Sequence, residues 1–258
     1  MPADPTLPDL PPPPADLRGT SLFLDFDGTL VDLAPRPDAV AVTDELRIRI
    51  ERLAAILPGR VGIVSGRSIE QLDAMLGDHA RLVAVAGSHG AERRLAGAAT
   101  AAHTPPAALA EAALALETYA DAEALLFERK SLGAALHYRG RPEGEADAIA
   151  TATALADEHG LTLQRGKMMV EVRAPGDKGA AVRALAAEPG AAGTRPLFFG
   201  DDVTDEDGFV AAAALGGAGV LVGTPRATAA RYRLDDPAAL LAWLDRAMDG
   251  MTTREVAA

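Results

Sequence analysis

Short, continuously apolar runs alternate along the chain with longer segments in which apolar residues recur every three or four positions. The runs lie at Ser21 to Phe26, Val61 to Val64, Leu82 to Ala86, "PLFFG" from Pro196 and "GVLVG" from Gly219. A run without a polar face reads as a strand of a parallel sheet covered on both sides. Between them, "TDELRIRIERLAAIL" places Leu46, Ile50, Leu53 and Leu57 on one helical face, with Thr43 as N-cap, acids in the first turn and Pro58-Gly59 as the stop. Ser68 and Gln71 have capping-box spacing for a helix through Met75. Further helices are expected from Lys178 to Ala187, Thr204 to Ala214 and Pro237 to Met248. Strand alternating with helix predicts a parallel sheet with right-handed crossovers.

The pattern changes in the middle of the chain. A helix from Ala107 to Tyr119 precedes "ALLFERK" and "GAALHYR", which are separated only by Ser131 and Leu132. That gap suits an antiparallel hairpin, because a parallel return needs a long crossover. The order then repeats, with a helix from Glu143 to Glu158 followed by "LTLQRG" and "MMVEVRA". The expected fold class is α/β: a Rossmann-like parallel-sheet core over 18–98 and 175–250, interrupted over 99–174 by an inserted α+β domain of αββαββ order. The proline-rich start, 1–17, is expected to be a disordered or extended lead outside the fold.

Composition acts mainly by exclusion. A formal net charge of −12 over 258 residues argues against nucleic acid or an anionic membrane surface as partner, since both reward clustered Lys and Arg. Any anionic ligand must then be held by a metal or a few aimed cations. The lack of cysteine excludes disulfides, thiol catalysis and thiolate metal sites, and suits a reducing cytosol. No stretch reaches the roughly 20 apolar residues of a membrane span, and the lead lacks the features of a signal peptide. There is no Gly-x-x-x-x-Gly-Lys-Ser/Thr for a P-loop NTPase. A cytoplasmic monomer acting on a small molecule is expected.

In an open parallel sheet, ligands bind beyond the carboxyl ends of the strands. The polar residues collect there: Asp25 and Asp27 after the first run, Ser65-Gly66-Arg67 after the second and "GDDVTDED" after Phe199, with Lys178 opening the helix that follows the insert. Several carboxylates in one place are costly unless a cation neutralises them, and hard divalent cations such as Mg²⁺ choose oxygen ligands. Asp25 and Asp201 are the natural ligands. A metal with Lys178, Ser65 and the backbone amides around Gly28 and Gly66 would make a pocket for a phosphate dianion inside an acidic protein. Asp25 can then attack phosphorus to form an aspartyl-phosphate. Asp27 is left free to protonate the leaving oxygen and then to deprotonate the attacking water. Each signal alone has an ordinary reading: a surface turn for Asp-x-Asp-Gly-Thr, a solvated acidic loop, a solvated lysine, a helix cap for Ser68, structural roles for His89 and His137.

Taken together, "DFDGTL", "VSGR", Lys178 and "GDDVTDED" resemble the four motifs of the haloacid dehalogenase superfamily, and the insert resembles that superfamily's αββαββ cap. The set "AGSHGAERR", "ERKSLGAALHYRG", "GKMMVEVRAPGDKG" and "FFGDDVTDE" is similar to the trehalose-6-phosphate phosphatase family, over residues 18–248. The resemblance implies a Mg²⁺-dependent phosphatase of trehalose biosynthesis that hydrolyses trehalose 6-phosphate through an aspartyl-phosphate. It implies Asp25 as nucleophile and Asp27 as acid/base. Mg²⁺ would be held by the side chains of Asp25 and Asp201 and the main-chain carbonyl of Asp27, with Asp202 and Asp205 in support. Ser65 and Lys178 would hold the phosphate and Arg67 would order its loop. Glu128, Lys130, Arg139, Lys167 and Glu171 from the cap, with His89 and Gly90 from the core, would meet the sugar hydroxyls. A trehalose-6-phosphate synthase is the implied partner.

The cap residues also have a reading of their own. Glu128 and Lys130 are two apart on a strand and so share a face, and fixed charges of both signs suit hydroxyls, which donate and accept. With aromatics at 4%, recognition is expected to be polar. Two alternatives stay open: another capped sugar phosphatase or phosphomutase, and a catalytically silent subunit of a trehalose-synthesising complex.

Overall fold

The structure, a computed structural model, describes residues 9–33, 40–99, 105–166 and 168–255. Its contacts divide the chain into two compact units: Met1–Thr100 with Asp177–Ala258, and Ala101–Gly176. The first unit begins with β1 (Thr20–Leu24), α1 (Asp44–Ile56), β2 (Val61–Val64), α2 (Ile69–Leu76), β3 (Ala84–Gly87) and β4 (Glu92–Arg94). The second contains α3 (Ala107–Glu123), β5 (Leu126–Arg129), β6 (Gly133–His137), α4 (Glu145–His159), β7 (Thr162–Gly166) and β8 (Met169–Arg173). The chain then returns with α5 (Lys178–Ala186), β9 (Arg195–Gly200), α6 (Glu206–Ala214), β10 (Ala218–Val222), β11 (Tyr232–Leu234) and α7 (Pro237–Glu255).

The continuous apolar runs become the middle of a 7-stranded sheet of order β11-β10-β9-β1-β2-β3-β4. Neighbours are parallel except β3 and β4. Because alternate side chains leave opposite faces of a strand, each run feeds two cores. Leu22, Leu24, Ile63, Val85, Phe199 and Val220 pack with Leu46 and Ile50 of α1, Leu72 of α2 and Trp243 of α7. Phe23, Val64, Ala86, Phe198 and Leu221 pack with Val182 and Leu185 of α5 and Phe209 of α6. The sheet is therefore doubly wound. Strand order runs outward in both directions from the β1–β9 pair, so the carboxyl ends of these two strands are the topological switch point where such sheets hold ligands. Asp25 directly follows β1 and Asp201 directly follows β9.

Three expectations need correction. The first strand stops at Leu24, and Phe26, fully buried, lies in the turn beyond it. β4 and β11 were not anticipated, because "ERR" and "YRL" offer no apolar run. Residues 1–8 of the lead lie outside the described residues, and the rest is tied into the first unit: Leu10 packs against its core, Trp243 Nε1 donates to Pro13 O and the Arg233 N–H to Pro11 O, each at 3.0 Å, and Leu17 is fully buried. A proline-rich extended segment keeps its carbonyls available as acceptors, and here it lies beside the edge strand β11.

In the second unit both hairpins form and combine into a 4-stranded sheet of order β5-β6-β8-β7, antiparallel throughout. One face, with Ala134, Leu136, Val170 and Val172, packs on α3 and α4. Ala148, Ala152 and Ala156 of α4 recur every four residues and are buried in that core, so small side chains let the helix lie close to the strands. Among the described residues, no helix is long and apolar enough to cross a membrane.

Candidate active site

Asp177 caps α5 by accepting the Ala180 N–H, which leaves Lys178 in the first turn with its side chain buried. Its ammonium pairs with Asp25 Oδ1 at 2.9 Å and with Asp205 Oδ1 at 2.7 Å. Asp205, fully buried, uses Oδ2 to accept the amides of Asp201 and Asp202, each at 3.0 Å. Carboxylate oxygens of Asp25, Asp201 and Asp205 lie within 4.8 Å of one another. Burial, and next the Asp205 charge, push the Asp201 carboxyl up to about 6. Burial raises Asp25 well above the usual carboxylate range against the pull of Lys178. Burial alone would lower the Lys178 ammonium, but Asp25 and Asp205 outweigh it and the net shift is upward.

These donors fit a divalent cation. They are all oxygen, and a cation would relieve the mutual repulsion that works against ionised Asp25 and Asp201. Both oxygens of Asp205 already serve Lys178 and two amides. Asp25 and Asp201 are therefore the carboxylates available to such an ion, and Asp205 orients its surroundings.

Asp27, expected to stand free, is gripped at both oxygens by Arg67, Nε to Oδ2 at 2.7 Å and Nη2 to Oδ1 at 2.6 Å. Ser65 Oγ accepts the Arg67 N–H at 3.1 Å, which leaves its hydroxyl proton to be given to a ligand. The next loop carries Ser88, His89 and Gly90 in succession at φ of 48°, 55° and 96°. Left-handed backbone costs of order 1–3 kcal/mol at each non-glycine and persists only where the surroundings enforce it. Here Ser88 N–H donates to Arg67 O at 2.7 Å and His89 N–H to Ser65 O at 2.9 Å. Buried Glu92 accepts Ser88 Oγ at 2.7 Å and the Ile69 N–H at 3.0 Å. The two loops are thus one interlocked object, with the His89 ring beside Gly66: a Cβ there would lie 2.7 Å from Nε2.

Gly28 has a different part from the one expected. Its amide is not offered to a ligand but donates to Val31 O at 2.8 Å. Its φ is 80°, and a Cβ on it would overlap the Asp201 carboxylate. What Gly28 supplies is space.

In the second unit, cross-strand register sets Glu128, Ala135, Glu171 and Gln164 in one row. The two-residue period adds Lys130, His137 and Arg173 to the same face. That face is polar and internally paired: Lys130 with Glu171 at 2.5 Å, His137 Nε2 with Glu128 Oε2 at 2.8 Å, and Arg173 Nε donating to Gln164 Oε1 at 3.0 Å. The His137 bond, more than the Lys130 charge, lowers the Glu128 carboxyl despite its partial burial.

The family model for trehalose-phosphatase matches residues 23–238. The chain belongs to the trehalose-phosphatase family. It is 38% identical over 231 residues to the trehalose-6-phosphate phosphatase of Escherichia coli (strain K12), covering 86% of this chain and 84% of that one. It is also 38% identical over 215 residues to a probable trehalose-phosphate phosphatase of Sinorhizobium fredii, covering 81% and 80%. Two solved structures share the fold. The C-terminal domain of the Candida albicans trehalose-6-phosphate phosphatase superposes with a TM-score of 0.73 at 22% identity, over 93% of this chain and 98% of that one. A haloacid dehalogenase-like hydrolase from Bacteroides thetaiotaomicron gives 0.66 at 15%, over 88% and 98%.

Most of the residues read from the sequence fall into three groups. Asp25, Asp201, Asp205 and Lys178 form one cluster; Asp27, Ser65, Gly66, Arg67, His89 and Gly90 belong to the interlocked loops; Glu128, Lys130 and Glu171 share the polar face of the insert. Asp202 stands outside the carboxylate cluster: it is exposed and its Oδ1 caps the Val203 N–H at 2.5 Å. Arg139 is exposed, beyond the end of β6. Lys167 lies outside the described residues. Sequence reasoning passed over Glu92, Gln164 and Arg173, and gave His137 only a structural role. The two-residue gap of the predicted hairpin was the signal that could have placed His137: it sets Lys130 opposite Gly133 and so His137 on the face of Glu128.

Proposed function

We propose that this chain is a Mg²⁺-dependent phosphatase that releases trehalose and phosphate from trehalose 6-phosphate through an aspartyl-phosphate on Asp25. The observation that carries the reading is the set Asp25, Lys178, Asp205 and Asp201 at the switch point of the sheet, and membership of the trehalose-phosphatase family supports it. Bound between the Asp25 and Asp201 carboxylates and the Asp27 main-chain carbonyl, Mg²⁺ would neutralise charge on the phosphoryl oxygens.

The remaining roles belong to the chain. Lys178 and the Ser65 hydroxyl hold the phosphoryl oxygens. The Asp25 carboxylate attacks phosphorus, and as the bond to the sugar oxygen breaks, Asp27 gives that oxygen a proton. Water then attacks the same phosphorus, Asp27 takes its proton, and Asp25 is returned as carboxylate with inorganic phosphate released. Asp205 keeps Lys178 and the 201–202 amides in place, and Asp202 caps the turn behind them.

The polar face of the insert, with Glu128, Lys130 and Glu171, recognises sugar hydroxyls. We place the protein in the cytoplasm as a monomer, downstream of a trehalose-6-phosphate synthase that supplies its substrate. The test is phosphate release with Mg²⁺ from trehalose 6-phosphate, sucrose 6-phosphate, glucose 6-phosphate and mannose 1-phosphate at equal concentration. Strong preference for the first is expected. Activity spread evenly across the panel would remove the substrate assignment, and none at all would favour a silent subunit.

A further inference from the structure

The loop after β10, "GTPRAT" from Gly223 to Thr228, contributes nothing to the proposed chemistry yet grips the segment that does. Arg226 donates Nη2 to Asp202 O at 2.7 Å and Nε to Asp201 O at 3.4 Å. Its Nη1 pairs with Glu206 and bonds Ala227 O at 3.1 Å. Glu206 in turn accepts Thr228 Oγ1 at 2.8 Å and the Ala229 N–H at 2.7 Å. On the other side, Asp205 Oδ2 accepts the amides of Asp201 and Asp202. Both carbonyls of the Asp201-Asp202 segment are thus held by one guanidinium, and both amides by one carboxylate. Its peptide planes are fixed, and with them the direction in which the Asp201 side chain leaves the backbone. A planar guanidinium serves three carbonyls and a carboxylate here, four acceptors in a fixed fork, where an ammonium has three donors on one atom.

We propose that Arg226 is a positioning residue for the divalent-cation site. It acts through the Asp201 and Asp202 carbonyls to aim the Asp201 carboxylate at Asp25, and Glu206 with Thr228 holds Arg226 in that pose. The proposal rests on the reading of Asp25 and Asp201 as metal ligands. Partners that orient a ligand from behind typically change metal affinity by about 10–100-fold, so loss of the guanidinium should be felt in binding before any substrate is present.

The test is a direct titration of the full chain with Mn²⁺, following the free-ion electron paramagnetic resonance signal without substrate. Arg226→Ala, Arg226→Lys, Glu206→Gln and, as reference, Asp201→Asn are compared with wild type. Expected are a Kd for Mn²⁺ raised about tenfold in Arg226→Ala, no restoration by lysine, and a smaller rise in Glu206→Gln. The Mg²⁺ concentration giving half-maximal activity should rise in parallel, with KM for trehalose 6-phosphate at saturating Mg²⁺ unchanged. If Arg226→Ala does not fold, Arg226→Lys and Glu206→Gln decide the same question. Wild-type Mn²⁺ affinity in the Arg226 and Glu206 variants beside a weakened Asp201→Asn would overturn the positioning role and leave the metal assignment standing. Wild-type affinity in Asp201→Asn as well would overturn both.

Discussion

Asp27 and Arg67, 40 residues apart in sequence, meet in a two-pronged ion pair that occupies both carboxylate oxygens. In the proposed reaction Asp27 has to reach the leaving sugar oxygen, so the guanidinium must release one oxygen while keeping the carboxyl aimed with the other. Arg67 therefore bears on the step that needs a proton. Arg67→Ala should slow cleavage of trehalose 6-phosphate by about 10–100-fold and cleavage of p-nitrophenyl phosphate by only a few-fold, because p-nitrophenolate leaves without protonation. Release of the leaving group in the first turnover is the quantity to compare, since the later hydrolysis step is common to both. Equal losses would remove Arg67 from the proton-transfer step.

Gly28→Ala tests the packing of the carboxylate cluster. The new Cβ meets the Asp201 carboxylate at a residue with φ of 80°. A control with the second cost alone is Gly160→Ala, where φ is 63°, ψ is 33° and no atom lies within 4 Å of the added Cβ. Both variants should lose about 1–2 kcal/mol of stability from left-handed strain. Only Gly28→Ala should also weaken Mn²⁺ binding. Like behaviour of the two would mean that the space beside Gly28 is not needed by Asp201.

What could be read from the sequence follows from how each feature is encoded. β2 was legible because burial on both faces writes an unbroken apolar run, whereas β4 is "ERR", with Glu92 and Arg94 buried as polar residues, and nothing in its composition marks a strand. The motifs that deliver Asp25, Ser65 and Asp201 were legible because each directly follows such a run. The Asp27–Arg67 pair and the His137–Glu128 bond were not, since they depend on which loops and strands become neighbours. The same limit explains Gly28: a glycine after Asp-x-Asp looks like an amide donor until the Val31 carbonyl is seen to take that amide.

The polar face of the insert gives a substrate-dependent prediction. Lys130 and Glu171 pair at 2.5 Å, and a Cβ on Gly133 would lie 2.5 Å from Glu171 Oε1, so the carboxylate fills the space that glycine leaves. If this face binds sugar, Lys130→Ala and Glu171→Ala should each raise KM or lower kcat for trehalose 6-phosphate by at least about tenfold, the loss expected for a missing hydrogen bond to a charged group. Turnover of p-nitrophenyl phosphate, which has no sugar, should barely change. Proportionate losses on both substrates would contradict the assignment.

The anchored lead predicts a stability effect remote from the chemistry. Leu17 is fully buried, and the Pro13 carbonyl is the acceptor for the indole N–H of Trp243. Burying one leucine side chain is worth about 1.5–3 kcal/mol, and a neutral hydrogen bond adds about 1 kcal/mol. Deleting residues 1–17 should therefore lower Tm by roughly 5–15 °C, at about 2–4 °C per kcal/mol for a chain of this size. An unchanged melting curve would show that the lead is dispensable to the core.

The raised carboxyl of Asp201, at about 6 in the folded protein against about 3.9 unfolded, fixes the sign of a pH effect in the metal-free protein. The folded state holds this proton more tightly, so the group's favourable contribution is complete below pH ~4 and is lost as pH rises through 6. Two units correspond to somewhat under 3 kcal/mol. Solvent screening at a partly exposed group reduces this to about 1–2 kcal/mol. Urea unfolding in the presence of a chelator at pH 4.5, 5.5 and 7 should then show wild type losing about that much relative to Asp201→Asn as pH increases. At pH 7 saturating Mg²⁺ should more than restore it in wild type and do little in Asp201→Asn, because the ion binds the ionised carboxylate and the folded state alone. A wild-type-minus-variant difference that stays flat across this range would mean that Asp201 is not held among competing charges, and the case for a cation between it and Asp25 would lose its electrostatic basis.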